Sequence, residues 1–147
     1  MANIDNIVEY LQSIMSEAGG GELNRDDKLR QELMGISAKY SGGIYSFRDM
    51  SVGTFDALLK NGFIDLYGRL YWSPTIAQFR VFAEKYKDED MRFTGYLVSP
   101  DREDYRVSIE GIVANSLNQQ FMQDFKMLFM MADEFECRDG YQRCWFD

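Results

Sequence analysis

The stretch from Met91 to Ala114 constrains the fold more than any other part of the chain. Met91–Ser99 and Tyr105–Ala114 are runs of strand-forming residues separated by Pro100-Asp101-Arg102-Glu103-Asp104, a composition that turns the backbone. In the second run Tyr105, Val107, Ile109, Gly111 and Val113 alternate with Arg106, Ser108, Glu110 and Ile112. A period of two is that of a strand with one buried face. The spacing predicts an antiparallel hairpin.

The residues that follow complete a unit around it. Ser116 and Gln119 have the spacing of a capping box, which predicts a long helix from Leu117 to Cys137. Phe121, Met122, Phe125, Leu128, Phe129, Ala132 and Phe135 form its apolar face, and Met127, Met130 and Met131 widen it. A stripe this broad suits a helix buried in its own chain. Its other reading is a homodimer surface through the three methionines, which adapt to irregular partners. Asp139-Gly140 turns the chain, and Tyr141–Phe146 reads as a closing strand. The second half is therefore expected to be a β-β-α-β unit with its long helix packed on an antiparallel sheet.

Helical spacing dominates the first half. Ile4, Ile7, Val8, Leu11, Ile14 and Met15 share a stripe that ends at Gly19-Gly20-Gly21. Asn24 suits the cap of a helix over about 25–40, with Leu29, Leu33, Ile36 and Tyr40 in register. Ser51 suits the cap of a third, flanked by a Met50 and Phe55 staple. Ser73-Pro74 opens a fourth, carrying Ile76, Phe79, Phe82, Ala83 and Tyr86. Phe63–Trp72, with Gly68 inside it, reads as a small hairpin or bent strand. The expected architecture is α+β: an N-terminal helical lobe of about four helices with a short hairpin, then the β-β-α-β unit. The chain reads as one domain over 1–147, divisible into a mainly helical lobe 1–87 and a second lobe 88–147.

Composition limits the chemistry. Among 147 residues there is no histidine, which removes the usual general base and the commonest metal ligand. Cys137 and Cys144 are the only cysteines, and they read as free thiols rather than a bridge or a zinc site. With 24 acidic against 16 basic residues the net charge is −8, which opposes binding to a phosphate backbone and favours a basic partner. A winged-helix reading of the first half lacks its basic recognition helix, since the third helix carries Lys60 beside Asp56. No stretch reaches the ~18 apolar residues of a membrane span, and a cytoplasmic location is the default expectation.

Three acidic clusters stand out: Asp88-Glu89-Asp90, Asp101 with Glu103 and Asp104, and Asp133, Glu134, Glu136 with Asp139. None has the alternate-position ligands of a calcium loop, and Arg92, Arg102 and Arg138 intersperse them as on ordinary solvated surface. The Gly19–Gly21 run lacks the Lys-Ser or Lys-Thr pair of a phosphate loop. No cofactor or metal is expected. The leading expectation is a non-catalytic binding module, of the inhibitor or immunity type, presenting carboxylates to a basic partner protein around an aromatic anchor. Its candidate contacts are Asp101, Glu103, Asp104, Tyr71, Trp72 and Trp145. One alternative is a hydrolase using carboxylates and tyrosine on a small or carbohydrate substrate. Another is a homo-oligomeric assembly protein.

Overall fold

The expected hairpin is the centre of the sheet. In the computed structural model, which describes residues 9–11, 13, 22–70 and 72–147, β2 (Asp90–Val98) and β3 (Val107–Asn115) pair antiparallel. Three more strands extend the pair: β1 (Ile44–Met50), β4 (Glu134–Arg138) and β5 (Tyr141–Trp145), in the order β1-β2-β3-β5-β4 with every neighbour antiparallel. The described helices of at least one full turn are α1 (Asp27–Met34), α2 (Val52–Lys60), α3 (Ile76–Lys85) and α4 (Gln119–Phe129).

The alternation in β3 changes phase partway along. Ile109 pairs with Gly95 and Gly111 with Thr94, which leaves Glu110 as the extra residue of a β-bulge. Beyond it Ile112 is buried and Val113 takes the opposite face, so both Ile109 and Ile112 reach the core. Met91, Phe93 and Leu97 of β2 join them. Phe55 of α2 lies against Phe93 with ring centroids 5.3 Å apart. Phe82 of α3 meets Phe121, Phe125 and Phe129 of α4 at 5.4, 6.1 and 5.0 Å. Each such ring stabilises the fold by about 1.5–3 kcal/mol through burial.

The expected N-terminal lobe of four helices and a hairpin is not formed. The chain enters the sheet directly after α1, with Ile44–Met50 paired along β2 as a strand. Phe63–Trp72 holds no strand among its described residues. Gly68 N–H bonds back to the Asp65 carbonyl and Ser73 N–H to that of Leu70, while Phe63, Ile64 and Leu66 are buried as a loop. Turn formers at Asp65 and Gly68 thus override the strand propensity of their neighbours. Of the predicted helix over 3–17, residues 9–11 and 13 are helical with Leu11 buried; its remainder and Gly19–Gly21 lie outside the described residues.

Helix boundaries follow the caps. Ser51 caps α2 as expected, accepting from Thr54 N–H at 3.1 Å. The helix expected over 25–40 is shorter, running from its Asp26 cap to Gly35, whose φ of 66° closes it in the left-handed region. Thr75, with Gln78, forms the capping box of α3, two residues after Ser73. Asn118 caps α4 through Gln120 and Phe121 N–H, while the Ser116 hydroxyl bonds Glu89 instead. The long helix expected to reach Cys137 stops at Phe129. Glu134–Arg138 turns its alternation of exposed and half-buried residues into a strand beside β5.

Cys137 and Cys144 are both free. Cys137 stands opposite Gln142, and Cys144 opposite Phe135. Burial pushes the Cys144 thiol up to about 12 and raises that of Cys137. A thiol reagent is therefore expected to modify Cys137 slowly in the native protein and Cys144 only after unfolding. Mass spectrometry of time-resolved labelling checks this, and comparable native rates at the two sites would contradict the burial.

Candidate functional site

One carboxylate of the acidic turn, Asp104, is ion-paired. Asp101, Glu103 and Asp104 are all exposed between β2 and β3. Arg102 grips Asp104 through two bonds of 2.8 and 2.6 Å, and Arg106 adds a third at 3.1 Å. The Arg102 bonds, reinforced by Arg106, hold the Asp104 carboxyl below the usual carboxylate range. Arg25 donates to the carbonyls of Pro100 and Arg102, tying the turn to the start of α1. With three guanidinium groups among its three carboxylates, this turn offers a partner little net negative charge.

Trp72 sits elsewhere, at an apolar groove of about 700 Å³ between α3 and α4. The loop before α3 is braced by its own bonds: Leu70 N–H donates to the Ser73 hydroxyl, and Ser73 N–H to the Leu70 carbonyl. The brace leaves the Trp72 side chain 96% exposed. Facing it across the groove are Met127, Leu128 and Met131, exposed by 78%, 60% and 87%. Phe82, Phe129 and Phe146, all buried, form the floor. The expectation that the methionines pack within the chain fails here. Because α4 ends at Phe129, Met130 and Met131 fall in the reversal toward β4, and Met127 points away from the buried Phe121, Phe125 and Phe129.

Polar groups at the rim satisfy one another. Lys85 Nζ is 2.8 Å from Asp124, the Tyr86 hydroxyl donates to the same carboxylate, and Gln120 donates to it at 3.2 Å. The bonds from Lys85 and Tyr86 hold the Asp124 carboxyl below its ordinary value. Burial, together with the bond to Asp124, raises the Tyr86 phenol. The groove walls are left to apolar contact.

Trp145 lies on the sheet face opposite the core side chains, in a groove of about 990 Å³ that shares no lining residue with the first. Arg48, Tyr96, Arg106, Glu110 and Arg143 line it alongside Trp145. The neighbouring Trp145 indole favours the ionised form of the Glu110 carboxyl. Desolvation nevertheless raises the Glu110 carboxyl, with the Asp147 carboxylate adding to the effect and Arg143 opposing it. The candidate contacts therefore divide over an acidic turn and two separate grooves, while Tyr71 lies outside the described residues. Leu128, Glu110 and Arg48 were not singled out from sequence. Leu128 passes as part of the inner helix stripe, and the other two as solvated charges.

Among the described residues, no group of three or more Cys, Asp or Glu side chains is placed to hold a metal ion. No described helix is long and apolar enough to cross a membrane. No protein-family model, curated protein or solved structure matches this chain.

Proposed function

We propose that the protein is a non-catalytic binding module that seats an apolar segment of a basic protein partner in the groove between α3 and α4. The observation that carries this reading is the gathering of Trp72, Met127, Leu128 and Met131, all largely exposed, around one groove. Contiguous apolar surface of this kind marks interaction sites. Tryptophan is enriched among interface anchors, and the flexible thioether of methionine fits irregular occupants.

Charge favours a partner over a second copy. Each chain carries −8, so two copies repel one another at long range while a cationic partner is drawn in. The Lys85–Asp124 pair neutralises the rim locally, so apolar contact supplies the seat and the field of the whole chain selects basic flanks.

Calorimetric titration with a designed amphipathic helix, leucines on one face and lysines on the other, tests the reading. Micromolar binding is expected, weakened about tenfold or more by Met131→Glu or Trp72→Ala. Both residues are exposed, so the variants stay folded. Replacing the lysines of the helix by glutamates is expected to weaken binding about as much. Equal affinities for wild type and variants would overturn the proposal. So would dimerisation in sedimentation that Met131→Glu abolishes, which would give the groove to a second copy.

A further inference from the structure

We propose that the open face of the sheet, centred on Trp145, Glu110 and Arg48, is a second site that binds a neutral oligosaccharide. The site is independent of the α3/α4 groove, with which it shares no lining residue. Its volume of about 990 Å³ falls within the range of small-ligand sites.

The chemistry of the lining selects the ligand. Charge on this face is mixed and largely paired: Arg143 with Glu134 at 2.8 Å, and Arg106 with Asp104 at 3.1 Å. Glu110 and Asp147 add carboxylates beside them. A polyanion would meet these acids as well as the chain's net charge of −8, which argues against a phosphate backbone. A purely apolar ligand would strand the ionic groups without water. A neutral polyol suits both halves of the lining, because its hydroxyls donate to carboxylates and accept from guanidinium groups in charge-assisted bonds.

An aromatic platform completes the match. The Tyr96 ring is already met by Arg106, 5.6 Å from its centroid, and the Tyr141 ring by Arg138 at 5.2 Å. Trp145 has no such cation or ring partner among the described residues, and it lines the groove beside Glu110. A half-buried indole without a ring or cation partner can stack on the C–H face of a pyranose. Arg48, on the edge strand β1, is exposed and makes no ion pair among the described residues, so its five donors are available to hydroxyl oxygens. The bulge at Glu110 aims that carboxylate into the same groove.

The test uses the Trp72→Phe protein, in which Trp145 is the sole indole. Its side-chain N–H resonance and fluorescence are followed with maltotriose, cellotriose, mannotriose and chitotriose. At least one is expected to shift the Trp145 signals at millimolar concentration, with less than about twofold change in affinity between low and high salt. Arg48→Ala and Glu110→Gln, neither of which removes core volume, are each expected to weaken that binding about threefold or more. No response to any of the four sugars up to tens of millimolar overturns the proposal. A response unaffected by both variants also overturns it. Salt-sensitive binding of inorganic phosphate or of oligo(dT) in preference to the sugars would make the face an anion site and reject it.

Discussion

Gly111→Ala is expected to abolish the native fold. A Cβ at this position would lie 1.9 Å from the backbone carbonyl oxygen of Cys144 and 3.2 Å from the Thr94 hydroxyl. The first obstacle is main chain, so no side-chain rotation relieves it. β3 lies between β2 and β5, paired on one side at Thr94 and on the other at Trp145. Moving it to admit a methyl group breaks ladder bonds on at least one side. Gly95, beside the bulge at Glu110, meets the same limit against the Ser108 carbonyl, 1.9 Å away. We expect a loss of at least about 4–5 kcal/mol, the range reserved for severe steric or buried-polar defects. Gly53→Ala is the control. In α2 an added Cβ meets only the Ser51 hydroxyl at 3.8 Å, so the change is expected to stabilise by up to about 1 kcal/mol. Urea unfolding followed by circular dichroism separates the two. A Gly111→Ala protein of near wild-type midpoint would contradict the strand spacing.

Arg30→Ala is expected to destabilise the protein by about 3–5 kcal/mol, the usual consequence of breaking a buried ion pair from one side. Arg30 is fully buried although it is charged. Its guanidinium donates to Asp27 at 3.0 Å, to the Tyr40 hydroxyl at 2.8 Å, and to the carbonyls of Val98 and Arg106 at 2.9 and 3.2 Å. It also lies 4.4 Å from the centroid of the Tyr105 ring. These bonds fasten α1 to the turn end of the central hairpin, and truncation takes a donor from the Val98 and Arg106 carbonyls and leaves Asp27 with Tyr40 and Gln31 but no cation. At this chain length the loss lowers Tm by on the order of 10 °C.

The same network sets an acid limit. Desolvation alone would raise the Asp27 carboxyl, but bonds from Tyr40, Gln31 and Arg30 outweigh it and leave the value lowered. Asp124 is lowered as well, by its bonds from Lys85 and Tyr86. A carboxyl lowered in the folded state takes up its proton first in the unfolded chain. Its stabilisation is therefore present above the unfolded value of about 4 and is lost as pH falls through the folded one. Tm measured against pH is expected to decline below about pH 4, and less steeply in Arg30→Ala because one contributor is already weakened.

The parts of the fold legible in sequence are those where one local signal acted alone. The β2/β3 hairpin, the Ser51 cap, the apolar face of α3 and the closing strand β5 are of this kind. Where two signals competed, tertiary context decided. Ala132 and Phe135 continue the helical spacing of α4, yet Glu134–Arg138 also alternates, and pairing with β5 selects the strand. Phe63–Trp72 has strand propensity, but its turn residues bury Phe63, Ile64 and Leu66 as a loop. The bulge at Glu110 has no signature in a single sequence, and it shifts the phase of every later residue in β3. The candidate contacts were legible as residues and not as places. Trp72 and the methionines were visible as surplus apolar side chains, whereas the groove that unites them depends on where α4 ends.

Emission from Trp72 tests the central claim most directly. In the Trp145→Phe protein Trp72 is the only indole, and it is almost fully exposed, so its emission begins near that of indole in water. Titration with the leucine–lysine helix at low salt is expected to shift that emission to the blue as Trp72 is covered. The shift should saturate at one helix per chain and weaken about tenfold when salt is raised, since long-range attraction to the −8 charge is screened. Binding measured by calorimetry with no change in Trp72 emission would place the helix elsewhere and contradict the assignment of the groove.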